Sequence, residues 1–216
     1  GPFLAWTTPG TVNVRDTTSG VTAKVAVKAP TWPSVDRFGW TWTVPSDTAG
    51  ATPVVLATDG TTSDLKAPFA DASTVAGLRI APDGARAVML RAVGPTRSVW
   101  VAPVLRGAAG EPKGLGTASE VDGLSAGVLD VSWAGSSTLV ALRSVDRSQS
   151  GTTEVAVVPL GGFVTTLTAP SGAEQLSAGA SEADILVGTS QAGTYARSGS
   201  VWQAVAAEVS QLHYPG

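Results

Sequence analysis

Gly77-Leu78-Arg79-Ile80-Ala81-Pro82-Asp83-Gly84-Ala85-Arg86-Ala87-Val88-Met89-Leu90 reads as a strand, a tight turn and a second strand. Pro82-Asp83-Gly84 supplies the turn chemistry: proline presets one dihedral, aspartate bonds its own backbone, and glycine accepts a positive φ. Beyond the turn, Ala87, Met89 and Arg91 alternate with Val88 and Leu90, the two-residue period of a strand. A third strand, Ser98 to Val104, and a fourth near Lys113 to Thr117 complete a four-stranded unit.

The same order recurs on both sides. The preceding unit runs Pro33 to Arg37, a turn at Gly39, Trp40 to Val44, Thr52 to Ala57, a turn at Asp59-Gly60, and Asp64 to Ala67. The following unit runs Val128 to Trp133, Thr138 to Leu142, Thr153 to Val158 and Phe163 to Thr168. A last unit runs Gln175 to Ala178, Asp184 to Thr189, Thr194 to Arg197 and Val201 to Val205. The Ala-rich segment Val201 to Val209 is the best helix candidate, but its Val and Trp suit a strand equally well. The first turns of the units, at Gly39, Gly84, Ser137 and Ala183, are 45, 53 and 46 residues apart. Propeller blades of four strands repeat about every 40–50 residues.

The ends of the chain fit the same scheme. Phe3 to Trp6, Thr11 to Arg15 and Thr22 to Val27 make three strands, one short of a blade. Glu208 to Tyr214 is a strand to spare, and Leu212-His213-Tyr214-Pro215-Gly216 resembles the Ile80-to-Gly84 turn. The expectation is an all-β, five-bladed β-propeller over residues 1–216, a single domain closed by pairing of the N- and C-terminal strands. A β-sandwich explains neither the period nor the matching ends.

Composition narrows the chemistry. The 216 residues are 43% hydrophobic and only 14% charged, where about 25% is usual, so the chain can bury a sizeable core. There is no Cys and one His, His213, which excludes thiol nucleophiles, disulfides and His-cluster metal sites. Glycine-rich phosphate loops and dinucleotide fingerprints are missing as well. Fourteen basic and seventeen acidic residues give a net charge of −3, no broad footprint for nucleic acid. These features predict no catalytic, cofactor-binding or metal-binding residues, and no enzyme activity.

The segment Leu78-Arg79-Ile80-Ala81-Pro82-Asp83-Gly84-Ala85-Arg86-Ala87 resembles the (L/I)-R-(V/I)-S-P-D-G-x-R-x-A stretch of the β-propeller domain of LpqB-type actinobacterial lipoproteins. Pro33-Ser34-Val35-Asp36-Arg37-Phe38-Gly39-Trp40-Thr41-Trp42 is similar to that family's preceding blade. Leu129-Asp130-Val131-Ser132-Trp133 with Thr138-Leu139-Val140 resembles a later one, and Tyr214-Pro215-Gly216 fits its close. Ala81 departs from the pattern, where Ser is commoner. The resemblance implies the C-terminal part of a longer exported protein, anchored to the outer face of the cytoplasmic membrane by a lipidated Cys outside this chain. It also implies an accessory of the Mtr two-component system that binds the extracytoplasmic part of the sensor kinase. Membrane contact is then expected only through the anchor.

Within that frame the expected partner-binding residues are Trp32, Arg37, Arg79, Arg97 and Arg106. Trp32 lies in the Pro-flanked connection Ala29-Pro30-Thr31-Trp32-Pro33, where an exposed ring suits a protein contact. From Arg79 to Lys113 six basic residues stand against two acidic ones, while from Glu174 to Gly216 four acidic residues stand against one Arg. Such asymmetry suits the steering of a charged partner. Arg79 follows apolar Leu78 and precedes apolar Ile80, so it is expected to meet a carboxylate, with Asp36 the first choice, or several backbone carbonyls.

Ser34-Val35-Asp36-Arg37-Phe38-Gly39-Trp40-Thr41-Trp42 also nearly spells the Asp-box of sialidases, with one extra residue. The structural reading is a turn in which Asp36 accepts backbone N–H bonds. The functional reading is the alternative for the whole chain: a glycan-binding or glycan-cleaving cell-wall propeller. Cleavage of that kind needs a tyrosine nucleophile backed by a carboxylate, and the two tyrosines, Tyr195 and Tyr214, lie in no such context.

Overall fold

The computed structural model describes residues 2–71, 73–124, 127–145, 152–190 and 193–206. Among them every regular element is a strand. The first sheet joins β1 (Phe3–Thr8), β2 (Thr11–Asp16) and β3 (Thr22–Ala26) in chain order. The second joins β4 (Ser34–Val35), β5 (Thr41–Thr43), β6 (Val54–Leu56) and β7 (Thr62–Asp64). The third joins β8 (Thr74–Ile80), β9 (Arg86–Val93), β10 (Thr96–Arg106) and β11 (Pro112–Leu115), and β12 (Ser119–Glu120) also pairs with β10. The fourth holds β13 (Val128–Ala134), β14 (Thr138–Ser144), β15 (Thr153–Pro159) and β16 (Thr165–Thr168). The fifth holds β17 (Ala173–Ala178), β18 (Ile185–Thr189), β19 (Gly193–Ser198) and β20 (Val201–Ala206).

Each sheet is an antiparallel meander, as short turns between strands require. Several boundaries differ from the sequence reading. The fourth strand of the second sheet is Thr62–Asp64 and not Asp64 to Ala67. The turn there closes within Ala57–Gly60, so Leu56 already faces Thr62 and the polar Thr-Thr-Ser run is drawn into the ladder. The outer side of β10 is covered by two short strands in place of one. Gly116 donates to the Pro103 carbonyl at 2.8 Å between them, and Pro103, which has no N–H, returns no bond. Val201–Ala206 pairs with β19 and is a strand, not a helix. The expected closing strand, Glu208 to Tyr214, lies outside the described residues.

The described residues pack as two compact units, one within residues 2–95 and 100–120, the other within 96–99 and 121–206. In the first, Trp42, Val44 and Val55 of the second sheet pack with Val75, Leu78, Ile80 and Met89 of the third. A smaller cluster joins Val14 and Ala23 to Leu56. In the second unit, Val140, Leu142, Val155 and Val157 pack with Leu176, Ile185 and Val187. Val12 and Val14 alternate with more exposed neighbours along β2, whereas Leu139 to Leu142 are buried without a break. A middle strand packed on both faces loses the alternation. Each fully buried Leu or Val contributes about 1.5–3 kcal/mol relative to its exposed state.

A serine repeats at the first strand of adjoining sheets in both units. Ser34 Oγ accepts the Ile80 amide at 2.9 Å, and Ser132 Oγ accepts the Ala178 amide at 3.3 Å. Both bonds span 46 residues, one repeat. Asp130 adds a parallel bond from the Leu176 amide in the second unit. Both serines are buried, so removing the hydroxyl strands a backbone N–H away from water. Ser34→Ala and Ser132→Ala are each expected to cost about 1–3 kcal/mol, read as a lower urea midpoint. Ser34→Thr, which keeps a hydroxyl, tests whether the oxygen rather than its volume matters.

Several hairpin turns rest on an exposed carboxylate. The Thr18 amide, then the Ser19 hydroxyl, hold the Asp16 pKa below its ordinary 3.8. The Thr61 amide does the same for Asp59. A carboxylate whose folded pKa is depressed stabilises the fold above the unfolded pKa and loses that contribution as pH falls through the folded value. Urea midpoints of the intact chain should therefore drop below about pH 4, and the Asp16→Asn, Asp59→Asn double variant should drop less steeply.

Candidate functional site

The described side chains that offer a built surface lie in the first unit, where three turns converge. The turn from β4 to β5 runs Asp36 to Trp40. Asp36 Oδ1 accepts the Phe38 amide at 2.9 Å and the Trp40 amide at 3.0 Å, so the carboxylate shapes its own turn. Its other oxygen accepts Trp42 Nε1 at 3.0 Å and Arg106 Nη2 at 2.6 Å. Asp36 is only 2% exposed, and these four donors are what allow a carboxylate to sit there.

Arg106, at the end of β10, is spent as fully. Its Nε and Nη2 donate to the Gly84 carbonyl at 3.1 and 2.9 Å, and Nη1 donates to the Gly110 carbonyl at 2.8 Å. One guanidinium thus ties the Asp36 turn to the β8–β9 and β10–β11 turns. The fork of donors on a planar group suits this task, which a lysine ammonium cannot match.

Phe38 lies on this assembly. The Arg106 guanidinium carbon is 4.4 Å from its ring centroid, and that of Arg37 is 4.7 Å away. The ring comes so close to Gly84 and Gly110 that an added Cβ would stand 3.1 and 3.2 Å from ring carbons. Both glycines also have positive φ, +71° and +84°. The ring remains 42% exposed. The result is a large aromatic side chain held in place yet open to solvent, the economy of a binding anchor that loses little freedom on contact.

The sequence-predicted residues divide accordingly. Arg37 and Arg106 meet on Phe38. Trp32 is 39% exposed, and Arg79 Nη1 donates to its carbonyl and to that of Leu78, both at 3.2 Å. Arg79 therefore meets backbone carbonyls, while Asp36 goes to Arg106. The Ser34–Ile80 bond sets this register, bringing Arg79 beside Trp32 and short of Asp36. Arg97 belongs to the second unit, is exposed, and donates to the Leu129 carbonyl at 3.3 Å. Phe38 was missed by the sequence reading. The signal was an aromatic residue at the third place of the Asp36-to-Gly39 turn, where a side chain has no strand neighbour to pack against.

The near Asp-box has the local chemistry of a turn, with Asp36 buried and fully bonded. His213 and Tyr214 lie outside the described residues. Among the described residues no group of three or more His, Asp or Glu gathers as a metal site, and no helix is long and apolar enough to cross a membrane.

The sequence profile of the lipoprotein LpqB beta-propeller domain matches residues 5–215. The chain belongs to that family. Its five sheets are the blades of a five-bladed, all-β propeller, and the LpqB-type domain is a lipoprotein-associated one. Three solved structures share the fold. The hydrazine synthase of Kuenenia stuttgartiensis is 16% identical, with a TM-score of 0.59 over 88% of this chain and 59% of that one. TolB from Acinetobacter baumannii is 13% identical, with a TM-score of 0.55 over 87% and 43%. An acylaminoacyl peptidase in complex with a chloromethyl ketone is 15% identical, with a TM-score of 0.50 over 84% and 33%. This LpqB-type chain spans less than two thirds of each. No curated protein matches the sequence.

Removing Arg106 leaves Asp36 buried without its cation. Arg106→Met is expected to destabilise the domain by about 3–5 kcal/mol in denaturant titration. Arg106→Lys should recover only part of this, since one ammonium cannot reach Asp36, Gly84 and Gly110 together. Equal stability of the Met variant and the parent would remove the hub from the account.

Proposed function

We propose that this chain is a protein-interaction domain without catalytic activity, borne by a lipid-anchored parent on the outer face of the cytoplasmic membrane. Its partner in this reading is the extracytoplasmic domain of the Mtr sensor kinase. Membership of the LpqB-type family supports the lipoprotein setting. The observation that carries the binding reading is Phe38, exposed yet fixed by Arg106 and by two turns. Interface energy concentrates in aromatic and arginine anchors of this kind.

The candidate residues take different parts. Arg37 and Trp32 face solvent and make contact. Arg106 and Arg79 spend donors on carbonyls of their own unit and position the contact residues. Arg97 offers an exposed charge on the second unit.

The test is calorimetric titration of the kinase's extracytoplasmic domain into this chain. Phe38→Ala should lower affinity by about 2 kcal/mol, some thirtyfold, with an unchanged melting profile. Trp32→Ala should weaken it further. No binding by the intact chain would overturn the kinase assignment. Binding of cell-wall glycans in its place would favour the glycan-binding reading.

A further inference from the structure

We infer that the Arg37–Phe38 platform takes an acidic peptide segment, one carboxylate on the Arg37 guanidinium and an apolar side chain against the open part of the Phe38 ring. The inference rests on the reading of the chain as a protein-binding domain and specifies what its partner presents.

The charges at this end of the first unit carry the argument. Phe3 lies against Gly39, where an added Cβ would stand 2.8 Å from its ring, so the start of β1 comes to the Asp36 turn. Phe3 pairs with Asp16, which brings the β2–β3 turn to the same end. Antiparallel pairing does the same for the β6–β7 turn of the second sheet and the β10–β11 turn of the third.

The carboxylates there are engaged, and exposed Arg15, next to Asp16, adds to the positive charge. Asp36 is paired with Arg106. Asp83 lies 3.9 Å from Arg86, and Glu111 lies 3.1 Å from Lys113. Asp16 and Asp59 are turned onto amides of their own turns. Arg37 is exposed, and among the described residues it has no carboxylate partner. Its guanidinium lies over the Phe38 ring, which limits its freedom while leaving donors for an incoming group. A stacked guanidinium is a prepared bidentate site for a carboxylate. The adjoining ring edge supplies apolar area, so a carboxylate next to Leu, Val or Phe in the partner satisfies both. A basic partner meets repulsion at the same place.

The experiment uses the intact chain and two synthetic peptides of equal length. One alternates Glu and Leu, and the other replaces each Glu by Gln. Binding is followed by fluorescence anisotropy at low and physiological salt. The acidic peptide should bind at least about tenfold more tightly than the Gln peptide, with the difference shrinking as salt rises. Arg37→Glu should abolish the preference, Arg37→Lys should keep part of it, and Lys24→Glu, at an exposed position of β3, should leave it unchanged. Equal binding of both peptides overturns the proposal. So does an equal loss in the Lys24 and Arg37 variants, or binding only to anionic phosphatidylglycerol vesicles. Acidic-peptide binding without kinase binding refutes the partner named above and leaves this chemistry standing. Kinase binding indifferent to Arg37→Glu does the reverse.

Discussion

A single buried carboxylate organises the described surface of the first unit. Asp36 is placed where an unpaired charge is intolerable, and its requirements spread outward. It draws in the amides of its own turn, the indole of Trp42 and the guanidinium of Arg106. Arg106 in turn fixes the carbonyls of Gly84 and Gly110, and through them the ends of two further hairpins. Phe38 is a consequence of that network. Its ring has a cation on which to lie and two glycines that leave room for it. Polarity at the centre of the network is what holds an apolar group at its rim.

The hydrophobic clusters supply the bulk of the cohesion but little of the register. Val, Leu and Ala side chains of similar size pack in many ways. Directional bonds settle the alignment. Ser34 and Ser132 fix which residue of one inner strand faces which residue of the next, and the sheets then meet in a single setting. The second aromatic group of the unit follows a related pattern. Arg91 lies over Phe69 and Trp100 while it pairs with Asp71, so a cation again joins rings to a loop carboxylate.

Much of the architecture was legible in the sequence because it is periodic. Strand alternation, Asp-Gly turns and a spacing near 46 residues are local or regular, and all four-strand units stood out from them. The boundaries that differed are those that pairing sets from outside, such as the early start of β7. The Asp36–Arg106 pair was hidden for another reason. Its members lie 70 residues apart, one in the β4–β5 turn and one at the end of β10, and no period links them. The expected Asp36–Arg79 pair came from alternation alone, with Arg79 facing away from apolar Leu78 and Ile80 toward the preceding unit's turn. The Ser34–Ile80 bond aligns the two segments at a separation of 46 residues, whereas Asp36 and Arg79 are only 43 apart. Phe38 was passed over because exposure of an aromatic residue is a property of packing and not of pattern.

The serine bond has a consequence for the origin of such a chain. The hydroxyl and the amide that it meets stand one repeat apart, so a sheet that holds this serine, as the second and fourth do, carries an acceptor for the next. A segment of this length copied in tandem brings its own joint with it. No new residue must arise for the added sheet to find its register. Lengthening by duplication is then open to this fold from the first copying event, and divergence of the turns can follow while the joint is kept.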